Sequence, residues 1–402
     1  MHIRCKKVIS VILASTILFL AACGAAQQPP PIVEETPPPQ INEEAAIAPE
    51  DLAEVEPIEP AEPSEDDFEE LEPDESAGLE HFDVWCFSNF ESIRQPLHLS
   101  SETARGDVSM EHLVFMSDNL RNRAAFSYQE LDAAVWIVEE LLAIGFAWED
   151  IQVQEFTQSE TSQWVWDGTL LALKQAGQAE GIEFRQLSQN IILTIPGRSE
   201  QTIIVTAHYD SWTTPGASDN ASSMALLLES AQRMLYIDNY YTLVYGFFGA
   251  HEIGRVGANY YFQSLSAEQR ENILFMLSAD ILLGTHFIYK AGFIEDNAHA
   301  ENNVSMKIHE VADNLRMRYD IDLITFDLRP HAGGDELVFA EKGHTVVGLI
   351  ALNIDEYGNF FGYYAHTEFD CVHHYNEIMP GMMERAMWFF SIFLEMILLA
   401  EY

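Results

Sequence analysis

Positive charge is scarce in this chain. Lys and Arg number 20 against 64 Asp and Glu in 402 residues, for a formal net charge of −44. Nucleic acid is thereby excluded as a natural partner, because phosphate backbones are held by clustered Lys and Arg. No apolar run reaches the roughly 20 residues of a membrane-spanning helix. The longest candidates are Val8–Leu20 and the stretch 387–400, and the second is interrupted by Glu395. No serine sits in an elbow motif with His and Asp partners, which argues against a serine hydrolase. There is no internal repeat. Proline is rare outside residues 24–80, which hold 11 of the 16.

What is present begins with a leader. A basic start (Arg4, Lys6, Lys7) precedes the short apolar stretch and then Leu20-Ala21-Ala22-Cys23. This is the pattern of a secretory signal. The ending is similar to a bacterial lipobox, so residues 1–22 are expected to be a signal peptide and Cys23 the lipid-modified first residue. The body is then expected outside the cytoplasm, tethered to the cell membrane as a lipoprotein. Residues 23–80 are expected to be a disordered acidic linker. Residues 24–80 carry 19 acidic residues, no Lys or Arg, and no apolar period. Such a segment cannot bury enough surface to fold. At about 3.1 Å per residue it would reach at most roughly 180 Å. Of the four cysteines, Cys5 leaves with the signal and Cys23 takes the lipid. Cys86 and Cys371 remain, and a disulfide between them is left open.

The folded domain is expected over 81–402, with its core from about residue 100. Ser127 and Glu130 form a capping pattern ahead of the stripe Leu131, Val135, Val138, Leu141 and Leu142, and Gly145 ends the helix. Strands are expected at 151–156, 169–174 and 190–197. From residue 202 strands alternate with helical stretches, the pattern of a sheet covered on both faces. The final apolar stretch reads as a core-packed helix.

Five segments end in residues able to hold zinc: AHYD (His208), GASDN (Asp219), FFGAHE (Glu252), LSAD (Asp280) and YYAHT (His366). Three follow apolar runs that read as buried strands, and open α/β sheets gather ligands at the carboxyl ends of their strands. Three carboxylates and two imidazoles at one sheet edge would make a two-zinc site for metal-assisted hydrolysis. Asp219 has two oxygens and could give one to each ion. Asp210, two residues after His208, is a candidate to fix that ring. His373 and His374, His331 and His344 carry no expected role as ligands. Trp212, Tyr363 and Tyr364 are candidates either for a pocket wall or for core.

Together these segments, with GGDELVFAEKG and AHTEFD, resemble the co-catalytic zinc aminopeptidases of metallopeptidase family twenty-eight, which also contains glutaminyl cyclases. The likeness runs in order through residues 100–402. It implies an α/β, three-layer α/β/α fold with a mixed, mostly parallel central sheet, of the zinc-dependent exopeptidase (phosphorylase/hydrolase-like) type. It implies one zinc on His208 and Asp280 and another on Glu252 and His366, with Asp219 bridging and Asp210 orienting His208. Asp335 and Asn220 are supporting residues in this reading. The implied activity is removal of N-terminal residues from peptide substrates.

One position departs from the family pattern. His251 stands where the family has the glutamate that acts as general base. Three readings compete. His251 is the base itself, or it is an added ligand that closes the open coordination position, or the protein binds peptides or surface polymers without cutting them. A glutaminyl cyclase-like acyltransferase is a further alternative, against which the complete five-ligand set argues.

Overall fold

The apolar runs ahead of the candidate ligands are strands. β1 (Ile151–Thr157), β2 (Leu187–Ile195), β3 (Ser199–His208), β4 (Tyr241–Phe248), β5 (Ile273–Ala279), β6 (His286–Glu295), β7 (Ala298–Ala300), β8 (Leu323–Phe326), β9 (Val346–Ile354) and β10 (Phe360–Phe361) join one sheet. They are seen in a computed structural model that describes residues 104–402 apart from 330–332, 355–359 and 363. The signal, Cys23, the linker and Cys86 lie outside the described residues, as do His331 and Tyr363.

The strand order is β1-β2-β4-β3-β5-β9-β6-β7, with β8 beside β6 and β10 beside β9. The sheet is mixed. Its centre, β4-β3-β5-β9, is parallel, while β2 and β6 run antiparallel to the central strands beside them and β1 runs antiparallel to β2. Parallel strands are covered on both faces and therefore read as continuous apolar runs. In β3, Ile203, Val205 and Ala207 enter one core and Ile204 the other. The pleat makes the same division in β5, where Phe275 and Leu277 oppose Met276.

The larger core lies under α1 (Asp107–Asn119), α2 (Tyr128–Ile144), α4 (Ser222–Met234), α7 (Asn303–Tyr319), α9 (Val372–Ile378) and α10 (Met382–Leu398). On the other face are α5 (Val256–Ser264) and α8 (Glu336–Ala340), with the short α6 (Ala267–Glu271) nearby in sequence. The three layers are those expected. α10 is the core helix expected at the end of the chain: Phe389, Phe390, Phe393 and Leu394 are buried, and Glu395 turns out to Arg105 at 2.6 Å. Among the described residues no helix is long and apolar enough to cross a membrane.

Local signals hold at α2, where the Ser127 hydroxyl accepts from Glu130 N at 3.0 Å and Gly145 caps the end at φ 119°. One expectation fails. Residues 169–174 are not a strand but the start of α3 (Thr169–Ala179). After Thr169 the segment has no β-branched residue, and Leu, Ala, Lys and Gln favour helix. Its buried residues, Leu173 and Gly177, are four apart, the helical spacing.

Candidate metal centre

Parallel strands end at one edge, and the chemistry collects there. His208 is the last residue of β3, Asp280 directly follows β5, and His251 and Glu252 lie in the turn after β4. Asp219 lies in an irregular turn, Ala217–Ala221, that feeds α4, and the Asp219–Asn220 peptide bond is cis. His366 comes from the loop after β10, at φ 62°. Residues far apart in sequence thus meet within a few ångströms.

Two groups of three form. His366 Nε2 is 3.0 Å from Glu252 Oε2 and 3.2 Å from Asp219 Oδ2. His208 Nε2 is 3.3 Å from Asp219 Oδ1 and 3.4 Å from Asp280 Oδ1. Asp219 therefore presents one oxygen to each histidine. Donors about 2.0–2.1 Å from a tetrahedral ion stand roughly 3.3 Å apart, which is the spacing found. His208 Nε2 and Asp280 Oδ1 are also buried without a hydrogen-bond partner. Orphaned buried atoms at this spacing, of the N and O types zinc accepts, fit a divalent ion at His208 and Asp280, and the group of Asp219, Glu252 and His366 offers the same donor types.

His251 lies close to the His208–Asp280 group: a ring nitrogen of it, a nitrogen of His208 and an oxygen of Asp280 all fall within 4.8 Å of one another. Proximity alone would make it a ligand. Ring orientation argues otherwise. The His208 and His251 rings stack with centroids 3.9 Å apart and planes 8° from parallel. Rings this close and parallel lie face to face, with planes about 3.5 Å apart. A ring stacked in this way presents its face, and not a nitrogen lone pair, to the His208 ring. His251 Nδ1 is 2.8 Å from Asp335 Oδ1, so the ring is anchored at one nitrogen and Nε2 is the nitrogen left for other work.

Neighbouring groups hold these side chains from behind. Asp210 receives His251 N at 2.9 Å and Glu252 N at 3.0 Å, one on each carboxylate oxygen. Its backbone carbonyl lies 3.0 Å from His208 Nδ1, while the carboxylate stands farther off at 3.5 Å. Asp210 thus orients His208 chiefly through its main chain. Asn220 clamps the residues around Asp280, donating to Ala279 O at 3.1 Å and accepting from Ile281 N at 3.2 Å. Trp212 N donates to Glu252 Oε1 at 3.1 Å, and its indole stacks on His366 with centroids 5.7 Å apart.

The electrostatics follow from packing acids against imidazoles. Burial disfavours the His208 imidazolium, but Asp210, Asp219 and Asp280 outweigh it and hold its pKa well above the usual value. Glu252 does the same for His366, with Asp219 adding to it against burial. Burial and the His208 ring oppose protonation of His251, yet Asp335 and Asp280 bring its pKa above the usual histidine value. Burial pushes Asp370 up to about 7, although Ser218 N and Asp219 N both donate to its oxygens.

Three buried residues with no role at the site expected from sequence support it. Glu130 accepts from Ala250 N at 2.9 Å, directly before His251, and also from Ser188 Oγ and Phe126 N. Its S-x-x-E spacing signals only a cap, and the carboxylate bonds elsewhere. Asp370 braces the turn carrying Asp219, and its signal is its place in AHTEFD. Arg123 lies in a loop with no pattern. Of the remaining candidates, His374 packs on Tyr364 and Phe369 and belongs to neither group, and His344 packs on Phe262 and Phe339.

Fold and site together describe an α/β peptidase with a candidate metal centre at the carboxyl edge of its sheet. The chain belongs to Peptidase family M28, whose family pattern matches residues 190–391. A probable leucine aminopeptidase of Trichophyton verrucosum is 30% identical over 171 residues, which are 37% of this chain and 44% of that protein. Leucine aminopeptidase 1 of Pyrenophora tritici-repentis is 33% identical over 106 residues, 23% of this chain and 27% of that protein. The matches thus span less than half the length of these relatives. BSAP, a zinc aminopeptidase from Bacillus subtilis, superposes with a TM-score of 0.56 at 16% identity, covering 73% of this chain and 95% of that one. A glutaminyl cyclase from an Acidobacteriales bacterium gives 0.54 at 17% identity, covering 76% and 97%. At these identities the likeness is one of fold.

Proposed function

We propose that this chain is a two-zinc aminopeptidase, tethered outside the cytoplasm as a lipoprotein through Cys23, that removes N-terminal residues from peptides. The observation that carries the reading is Asp219, whose two oxygens face His208 and His366, one each, at 3.3 and 3.2 Å. His208 and Asp280 would hold one ion, Glu252 and His366 the other, and Asp219 both. Bound there, the ions would lower the pKa of a water and polarise the scissile carbonyl.

The remaining work falls to His251. With Asp335 accepting from Nδ1–H, the lone pair is on Nε2, where the ring can take the proton that the attacking water gives up. The carboxylate of Asp335, 2.8 Å away, pairs with the charge so formed. The same nitrogen can return that proton to the leaving amine. The fold-only likeness to zinc aminopeptidases and the partial matches to leucine aminopeptidases support the substrate class. The acidic linker and the LAAC ending support the tether.

A second reading rests on His251 itself, since an imidazole in place of the usual carboxylate also suits a protein that binds peptides without turnover. Zinc content measured alongside hydrolysis of aminoacyl anilides separates the two. Two zinc ions per chain with zinc-dependent release supports the peptidase. Metal without turnover on any aminoacyl or dipeptide substrate sinks it, and cyclisation of N-terminal glutamine would reassign the activity to acyl transfer.

A further inference from the structure

We infer that Arg123 is a positioning residue for metal binding, because its guanidinium fixes the stretch of chain that separates His208 from Asp219. The inference rests on the two-zinc reading of the site. Arg123 is 0% exposed. Its Nε donates to Tyr209 O at 2.6 Å, Nη1 to Pro215 O at 2.9 Å and Leu120 O at 2.6 Å, and Nη2 to Gly216 O at 2.9 Å. Tyr209 directly follows one ligand, and Gly216 lies three residues before the next. One planar group therefore ties both ends of this loop together.

The backbone of Arg123 adds two more ties. Its N–H donates to Ser211 Oγ at 3.1 Å, and its carbonyl accepts from Ser211 N at 3.0 Å. Gly216 is there because the approach is close: a Cβ at that position would fall 2.8 Å from Nη2 and 2.6 Å from Asp219 O. A buried charge is retained only where something compensates for it. Here four carbonyls accept from the guanidinium, and its charge is felt by Asp370, Asp210, Asp219 and Glu252. Two of those carboxylates are candidate ligands. Lysine cannot reproduce this geometry, since it offers a point charge where Arg spreads its donors in a plane.

The test is zinc affinity in the full chain, measured by competition with a chelator, for the wild type, Arg123→Lys, Arg123→Met and Ser211→Ala. Ile308→Ala serves as the control. Ile308 is buried in α7, remote in sequence from every ligand, so the change destabilises the fold without touching the loop. Loss of a residue that orients metal ligands costs about 10- to 100-fold in metal affinity, which is the effect expected for both Arg123 variants. Ser211→Ala removes the acceptor of Arg123 N together with the donor to Trp212 O and Thr214 O, and should weaken zinc about 2- to 10-fold. It carries the test if the Arg123 variants do not fold. Ile308→Ala should melt earlier yet bind zinc like the wild type. Wild-type affinity in every folded loop variant overturns the inference, as does an equal loss in Ile308→Ala. A wild-type chain that binds no zinc fails the two-zinc reading itself, and so is told apart from failure of the inference alone.

Discussion

Asp335→Asn isolates the partnership that the proposed chemistry needs. Asp335 is 1% exposed and its Oδ1 lies 2.8 Å from His251 Nδ1, while its Oδ2 has no partner. An asparagine can therefore turn its oxygen to the imidazole and its amide group to the free side, which keeps the proton on Nδ1. What is lost is the charge. A hydrogen bond to a charged group contributes about 1.5–3 kcal/mol and a neutral one about 0.5–1.5, so the imidazolium formed during turnover loses about 1–1.5 kcal/mol. That corresponds to a fall in kcat of about 10-fold. His251→Ala should fall by about 10²–10⁴, the usual contribution of a general base. The decisive variant is the double one. If Asp335 acts through His251, adding Asp335→Asn to His251→Ala costs nothing more. Aminoacyl-anilide turnover at saturating zinc, with metal content checked for each variant, provides the assay. A full 10-fold loss persisting in the His251→Ala background would refute the partnership, as would no loss in the single variant.

Other outcomes are expected from the same geometry. His251→Glu should retain or raise activity while His251→Ala loses about two orders of magnitude or more, and equal turnover in all three forms shows the position to be idle. The pH dependence of the zinc-free protein has a defined sign. His208 and His366 are held well above their unfolded values, and Asp370 is raised to about 7. Groups raised in this way lend stability at low pH and lose it as pH rises through the folded pKa. The zinc-free melting temperature should therefore fall between about pH 6 and pH 8, with zinc restoring more at the upper end, and a rise over that window contradicts the sign. Phe389→Ala should cost about 3–5 kcal/mol by denaturant unfolding, because the ring is fully buried and stacks on Phe287 at 4.4 Å.

Much of the fold is legible because both-face burial writes itself as unbroken apolar runs. TIIVTA, TLVYGFF and ILFMLSA are strands for that reason, and each leads straight to a candidate ligand or, with two intervening residues, to the His251-Glu252 turn. Ser127 and Gly145 mark the ends of α2 through local capping chemistry, which needs no tertiary information. The segment 169–174 misleads because it is short and apolar, and only its residue types, not its length, favour helix. Long-range partners are the illegible part. Nothing local in Glu130 tells that its carboxylate serves Ala250, 120 residues on. Arg123 likewise sits in an unpatterned loop, and its importance comes from carbonyls that only the fold brings around it. The face-to-face stacking of His251 on His208 is a tertiary fact of the same kind, invisible at a position where the sequence allows both a base and a ligand.

The most direct test of the central claim is the zinc-bound crystal structure, with the ions located by their anomalous scattering. The geometry predicts two ions, one on His208 and Asp280 and one on Glu252 and His366. Asp219 should contribute an oxygen to each, and His251 should remain on Asp335 with Nε2 bound to neither. A single ion, or a bond from His251 to either of two, would contradict it.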